Sequence, residues 1–365
     1  RYKKVYASEI KSGTIKLREQ KGKTPSVEDF LKTKMRNSID YADAAIRYFR
    51  ATGLFTISAR TFRLGILDTK TQIAEAILKS APREPADFTK DPSSFLDFLG
   101  DPSAPPLPDD NIEVAQKEVS LLVDKIKAIG GVSPQPESTY AKVNLSKLAL
   151  GKIRNLRDEL EKALQKFLVE SEIKELQSYK MYPDIIEIFD KIKDPKDIDI
   201  PDKPLFFEWN TWRALNMLDD GDIEGNLALD NEGKPLHNAP GGFPDIVCYY
   251  KDFVLVVEVT LTSGMRQYEA EGEPVARHLG EIQKTLSAKG DKRPVFGLFI
   301  AVNINPATLA HFFVLRKTKI HYYGGRARII PLDLNAFLVM VEEAKKLGGI
   351  KADQIYNFIS WADSL

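Results

Sequence analysis

Pro244-Asp245 opens the run Ile246-Val247-Cys248-Tyr249-Tyr250, and Glu258 sits near the end of Phe253-Val254-Leu255-Val256-Val257-Glu258-Val259-Thr260. Both runs are rich in β-branched and aromatic residues, and the polar pair Lys251-Asp252 joins them. That is the pattern of two neighbouring strands linked by a tight turn. Acids on neighbouring strands stand a few ångströms apart, close enough to offer hard oxygen ligands to one divalent cation. A carboxylate ending an apolar run is costly to bury without a metal or a cationic partner. The plainer alternative is a strand-end acid facing water. Pro-Asp alone says little, because it recurs at Pro108-Asp109, Pro183-Asp184 and Pro201-Asp202 in linker or helix-boundary settings. Asp245 differs in having a strand behind it and Glu258 thirteen residues on.

The elements around these runs read as an α/β domain over 201–365 with a mixed sheet. An aromatic-rich helix is expected at 206–218, then a Gly/Asn/Asp-rich segment to about 242. Pro274 is expected to open a helix with Val275, Leu279, Ile282 and Leu286 on its apolar face. A strand at 295–302, a short one at 328–330, and helices at 334–346 and 352–363 complete the pattern. Glu271 would then precede the Pro274 helix and His278 would lie on its second turn, both able to face the strand ends. Glu271 could add a metal ligand, and His278 could position water or contact a phosphate. A surface glutamate and a half-buried helix histidine are the alternatives.

Two acids on adjacent strands match the layout of a PD-(D/E)xK nuclease site, except that Thr260 stands where the motif has lysine. This layout implies metal-dependent phosphodiester hydrolysis. The metal would polarise a phosphoryl oxygen and lower the pKa of a bound water. A neighbouring group must then stabilise the charge developing on phosphorus, since Thr260 has no charge to offer.

Upstream, Pro25-Ser26-Val27-Glu28-Asp29 looks like a helix start capped by Ser26. Asn37-Ser38 offers a turn or a second start. Ile39, Ala42, Ile46 and Phe49 recur at helical spacing before Gly53, and two short β-prone runs at 54–57 and 61–64 follow. Helix, turn, helix and hairpin is the order of a winged helix, so residues 1–84 read as a winged-helix-like DNA-binding module. Arg47 and Arg50 on its second helix, with Arg60 and Arg63 in the wing, could meet a duplex backbone. Ordinary surface arginines on a small packing module are the alternative. Residues 85–200 read as a Pro/Asp/Ser-rich linker and a helical spacer with one seam, Ile153, Leu156, Leu160, Leu164 and Phe167.

The chain of 365 residues has no net charge, but residues 1–64 hold 15 Lys and Arg against 6 Asp and Glu. A basic end on a neutral chain suits phosphate contact and is unlike a uniform polycation. No apolar run approaches the roughly 20 residues of a membrane span, and the basic start has no apolar stretch behind it to make a secretory signal. The single cysteine, Cys248, falls inside a predicted strand, which suits a reducing, cytoplasmic setting. The chain begins with Arg1, and the expectation is that upstream sequence has been removed or is absent.

Several segments together resemble the AlwI family of type IIS restriction enzymes, including its BstNBI-like nicking members. They are Gly241-Gly242-Phe243-Pro244-Asp245, Glu258-Val259-Thr260, Glu271-Gly272-Glu273-Pro274-Val275-Ala276-Arg277-His278 and Phe207-Glu208-Trp209-Asn210-Thr211-Trp212. Lys34-Met35-Arg36-Asn37, running through Arg47-Tyr48-Phe49-Arg50 to Thr52-Gly53-Leu54-Phe55, belongs with them. The resemblance implies a restriction-endonuclease-like fold and a Mg²⁺-dependent endonuclease, with Mn²⁺ substituting, that cuts double-stranded DNA outside a short asymmetric site. It carries over Asp245 and Glu258 as metal ligands, with Glu271, His278 and Glu208 as further active-site members; Glu271 is expected to join the metal ligands, and Lys34 and Arg36 the DNA contacts. Thr260 matches this family. Double-strand cutting would need a second catalytic domain, from self-association or a separate subunit. Members carry a longer N-terminal recognition region, which this chain is expected to lack. A catalytically inactive DNA-binding protein of the same fold is the rival reading, and an interaction protein built on the helical spacer is another.

Overall fold

The computed structural model describes residues 2–14, 26–58, 63–80, 89–100, 107–129, 144–195, 197, 199–200, 202–218, 221–230, 233–237 and 242–365. The chain divides into two compact units, Arg1–Phe55 and Thr56–Leu365.

The first unit holds α1 (Tyr2–Lys11) and α2 (Val27–Ala51). As expected, Ser26 starts α2: its Oγ accepts from the Asp29 amide at 3.4 Å, and Glu28 and Asp29 lie in the first turn near the positive end of the helix dipole. The expected turn at Asn37-Ser38 does not form, and one 25-residue helix runs straight through it. Ser38 explains this in part, because its Oγ donates to the Lys34 carbonyl at 2.9 Å and so leaves the helical backbone bonds in place. Of the residues recurring at helical spacing, Ile39 is 66% exposed and Phe49 48% exposed. A helix–turn–helix core is therefore not built from this stretch. The wing turn that would carry Arg60 lies outside the described residues.

Strand β1 (Phe55–Ser58), which begins on the last residue of the first unit, pairs with β2 (Arg63–Ile66), and α3 (Thr71–Ser80) and α4 (Pro92–Gly100) follow in the second unit. Two long helices come next, α5 (Ile112–Ile129) and α6 (Leu150–Tyr179). Ala115, Val119, Leu122 and Ile126 of α5 meet Ile153, Leu156, Leu160 and Leu164 of α6, each a stripe of period 3.6. The α6 stripe continues through Leu168, and Phe167 is only partly buried. Then come α7 (Tyr182–Lys193) and α8 (Lys203–Leu218). These four helices share one continuous apolar core with the sheet that follows, so the expected spacer packs directly on the α/β body.

That sheet has the order β3 (Asp222–Gly225), β6 (Ile246–Tyr249), β7 (Val254–Thr260), β8 (Val295–Ala301), β9 (Ile329–Asp333). A small separate pair, β4 (Ala228–Leu229) and β5 (Pro235–His237), fills the Gly/Asn/Asp-rich segment. β3–β6 and β6–β7 are antiparallel, whereas β7–β8 and β8–β9 are parallel. The parallel steps are bridged by α9 (Met265–Ala288) and α10 (Pro306–Lys317), and α11 (Leu334–Leu347) and α12 (Ala352–Ser364) end the chain.

β7 and β8 are buried on both faces, which is why their sequences read as nearly unbroken apolar runs. Leu255 and Val257 join the core shared with α5–α8, α11 and α12, while Val254 and Val256 join a second core under α9 and α10. By the two-residue alternation of a strand, Glu258 and Thr260 fall on the α9 side. One element departs from expectation: Pro274 lies inside the 24-residue α9 and does not open it. The helix starts after Gly264, whose φ of +64° turns the chain out of β7. Proline removes one backbone bond, but Val275, Ala276 and Leu279 after it are buried against the sheet and hold the helix through that point.

Candidate active site

β6 and β7 meet with Ile246 opposite Val257, so Asp245 and Glu258 stand one step beyond the last register pair. The Pro244-Asp245 backbone is pinned from the end of β3, where the Asn226 amide donates to the Asp245 carbonyl at 2.9 Å and its side-chain Nδ2 donates to the Pro244 carbonyl at 2.5 Å. Asp245 Oδ2 accepts from the Val259 amide at 2.8 Å. One carboxylate oxygen is thereby fixed by the backbone of the very strand that carries Glu258.

From the other side, α9 supplies two partners. His278 Nδ1 lies 2.7 Å from Glu258 Oε1, with both side chains about 10% exposed. Glu271 Oε1 accepts from the Thr260 hydroxyl at 2.7 Å and lies 3.2 Å from the Thr262 hydroxyl. The Thr262 amide donates back to Thr260 Oγ1 at 3.0 Å. Thr260 thus does not replace the charge of the motif lysine; it orients a carboxylate. Glu208 reaches the same place from α8, whose neighbouring Phe207 is fully buried. The five residues Glu208, Asp245, Glu258, Glu271 and His278 line a single cavity of about 350 Å³, with Thr260 and Thr262 in its wall. A larger cavity of about 980 Å³ sits beside the Tyr249–Asp252 turn, at the far end of β6 and β7, and none of these acids reaches it.

The electrostatics of the cavity are unbalanced. Burial pushes the Asp245 carboxyl well above the usual carboxylate range, with further upward pressure from Glu258 and Glu208 and partial relief from the Val259 amide. Burial likewise pushes Glu258 well up, reinforced by Glu271 and Glu208. For His278, burial and then the nearby Arg277 push the imidazole below its ordinary value, which favours the neutral ring. Nδ1 and Glu258 Oε1 share one hydrogen bond, with the donor set by the imidazole tautomer, and Nε2 is buried with no hydrogen-bond partner. Crowded carboxylates of raised proton affinity favour a cation in their midst. Among the described residues, no three His, Cys, Asp or Glu side chains converge as a ready-made cage for a metal ion. Mg²⁺ does not require one, since it is commonly held by one or two carboxylates together with water and substrate phosphate. The hard-oxygen pair Asp245 and Glu258 fits such a cation, whereas Glu271 is engaged with the two threonines.

The family of restriction endonucleases named for AlwI matches the chain over residues 2–340. The chain belongs to the AlwI restriction endonuclease family. Members of this family act on DNA, so nuclease activity is the activity its membership carries. The chain is also similar to a solved structure, the small subunit (R.BspD6I2) of the heterodimeric restriction endonuclease R.BspD6I. Identity is 26%, with a TM-score of 0.40, covering 48% of this chain and 86% of that one. None of the curated proteins compared matches it. No helix among the described residues is long and apolar enough to cross a membrane.

Among the described residues, none of the Lys and Arg expected from sequence to contact DNA lines the cavity of this AlwI-family chain. Lys34, Arg36, Arg47 and Arg50 lie on α2 in the first unit. Lys34 stands over the Phe30 ring at 5.5 Å, and Arg36 and Arg47 are exposed. Arg63 opens β2, and Arg60 is outside the described residues. Sequence reasoning missed Thr262 and Gln267. Gln267 is fully buried; its Nε2 donates to the Thr262 and Asn303 carbonyls, each at 2.9 Å, and its Oε1 accepts from the Asn305 amide at 2.8 Å. It ties the loop after β7 to the loop after β8. Its spacing of four residues from Glu271, on one helix face, was the available signal.

Proposed function

We propose that this chain is a Mg²⁺-dependent endonuclease that hydrolyses phosphodiester bonds of double-stranded DNA in the Asp245–Glu258 cavity, acting as a type IIS restriction or strand-nicking enzyme. One observation carries the reading: in a chain of this family, Asp245 and Glu258 end adjacent strands inside a cavity whose other walls are Glu208, Glu271 and His278.

Asp245 and Glu258 would hold Mg²⁺, or Mn²⁺ in its place. The ion would supply Lewis-acid polarisation of a phosphoryl oxygen and a water of lowered pKa. Asp245 keeps its orientation through the Val259 amide, and Glu258 through His278. A neutral imidazole protonated at Nδ1 would leave the buried Nε2 as an acceptor for a proton from water, or a hydrogen bond from substrate, entering the cavity. Glu271, steadied by Thr260, offers a second carboxylate to orient the attacking water. Glu208 adds negative charge that favours cation binding over an empty cavity. Cutting both strands would need a second catalytic unit, whether another copy or a separate subunit.

Cleavage of supercoiled plasmid with Mg²⁺ or Mn²⁺ tests the reading, with wild type beside Asp245→Ala and Glu258→Ala. Open circles or linear DNA should come from the wild type alone, and their ratio separates nicking from double-strand cutting. Equal cleavage by all three proteins would place the chemistry elsewhere.

A further inference from the structure

Residues 316–328 read Arg-Lys-Thr-Lys-Ile-His-Tyr-Tyr-Gly-Gly-Arg-Ala-Arg, with five Lys or Arg, one His and two Tyr, and no Asp or Glu. They run from the end of α10 to the start of β9. Lys317, Lys319, His321, Tyr322 and Arg326 are exposed. No ion pair engages Lys284, Lys319 or Arg326 among the described residues; the acids on the adjoining face of α9, Glu273 and Glu281, pair with Arg277.

The loop has a defined shape. Ile320 and Gly325 exchange backbone hydrogen bonds of 2.9 and 3.2 Å, and Gly324 and Gly325 take φ of +74° and +145°, which glycine adopts without strain. It is also seated on α9, where Gln283 Nε2 donates to the Tyr323 carbonyl at 2.9 Å. At Gly280 a Cβ would stand 2.8 Å from Tyr323 Cα, so only glycine permits this approach. Lys284 lies over the exposed Tyr322 ring at 5.3 Å, and an open hollow of about 620 Å³ runs between α9 and the loop. The helix that carries Glu271 and His278 thus also carries the seat of this basic loop. Lys284 follows His278 by six residues, about 9 Å along the axis, or roughly three base-pair steps of duplex DNA.

We propose that Lys284, Lys319 and Arg326 form a sequence-independent contact for the phosphate backbone of duplex DNA, with Lys284 on the same helix as Glu271 and His278 but toward its C-terminal end. The proposal rests on the reading of the chain as a DNA endonuclease. Cationic side chains with no carboxylate partner, set beside an exposed aromatic ring on a rigid loop, suit phosphates better than a protein surface.

The test is binding of a short duplex by the full chain, measured by fluorescence anisotropy without divalent metal, between about 50 and 200 mM salt. Each phosphate contact removed should flatten the dependence of log K on log salt by about one. Lys284→Ala/Lys319→Ala/Arg326→Ala should therefore lose about three and bind more weakly at low salt. The charge-preserving variant Lys284→Arg/Lys319→Arg/Arg326→Lys should keep the wild-type slope. If the triple alanine variant has no cooperative melt, Lys319→Ala alone should still flatten the slope by about one. A wild-type slope in the alanine variants, or no duplex binding by the wild type, overturns the proposal. Wild type that binds with the expected slopes yet never cuts DNA would overturn the endonuclease reading and leave this contact standing.

Discussion

Replacing His278 tests whether the second partner of Glu258 matters to catalysis. His278 Nδ1 is 2.7 Å from Glu258 Oε1, and both groups are nearly buried, so water cannot easily take the place of the lost partner. His278→Ala removes the hydrogen bond that orients Glu258 and leaves that carboxylate beside Glu271 and Glu208 with less to hold its rotamer. Outer partners of metal-binding side chains are typically worth about 10- to 100-fold in metal affinity or activity, or roughly 1.4–2.7 kcal/mol at 1.36 kcal/mol per decade. Direct loss of a proton acceptor at Nε2 would add to that in rate but not in metal affinity. Plasmid cleavage followed across a Mg²⁺ titration separates the two effects. The half-saturating Mg²⁺ concentration should rise about tenfold or more, with a further fall in the rate at saturation. His278→Asn, which keeps a short hydrogen-bonding side chain, should recover part of the affinity and little of the rate. An unchanged Mg²⁺ dependence in His278→Ala would refute the positioning role of the imidazole.

Three further outcomes are expected. Asp245 and Glu258 have raised carboxyl pKa values, so their share of stability is present below the unfolded values and is lost as pH rises through the folded ones. Without metal, Asp245→Asn and Glu258→Gln should thus melt higher than wild type at pH 8 and converge with it near pH 4; Mg²⁺ should raise the wild-type Tm more than theirs. Glu118, buried between α5 and α6 with no hydrogen bond at Oε2 and Arg157 Nη1 3.8 Å from it, is pushed from 4.5 to about 7 chiefly by burial, against the pull of Lys70 and Arg157. That difference of about 2.5 corresponds to at most about 3.4 kcal/mol at 1.36 kcal/mol each. Glu118→Gln should stabilise the protein by about 1–3 kcal/mol above pH 8 and by much less at pH 5, and equal denaturation midpoints for the two proteins across that range would contradict this. Gly280→Val places branched atoms against the Tyr323 backbone, which cannot rotate away, and should cost about 1–3 kcal/mol. Thermal melts would show it, and no loss would mean that the loop is not tightly seated on α9.

Local chemistry explains which features were legible in the sequence. The β6–β7 pair with Asp245 and Glu258 follows from two apolar runs and a polar turn, because buried strands must alternate faces and acids on them are conspicuous. Capping of α2 by Ser26 is legible for the same reason, since the signal lies within four residues. The fate of Asn37-Ser38 was not, because a serine that bonds the carbonyl one turn back looks in sequence like one that ends a helix. Pro274 misled in the same way: packing of Val275, Ala276 and Leu279 against the sheet outweighs a single lost backbone bond.

Taken alone, the sequence determined that a pair of acids ends two adjacent strands, that Thr260 stands in the lysine position, and that the chain carries the marks of its family. Only the tertiary structure decided how that pair is held: His278 on Glu258, the Val259 amide on Asp245, and Thr260 with Thr262 on Glu271. It also set Gln267 across the loops and placed the 316–328 loop against Gly280. The reason is sequence distance. Thr260 and Glu271 are eleven residues apart, Glu258 and His278 twenty, and Gln283 and Tyr323 forty. No helical or strand period links such pairs, so only the way α9 crosses the sheet brings them together.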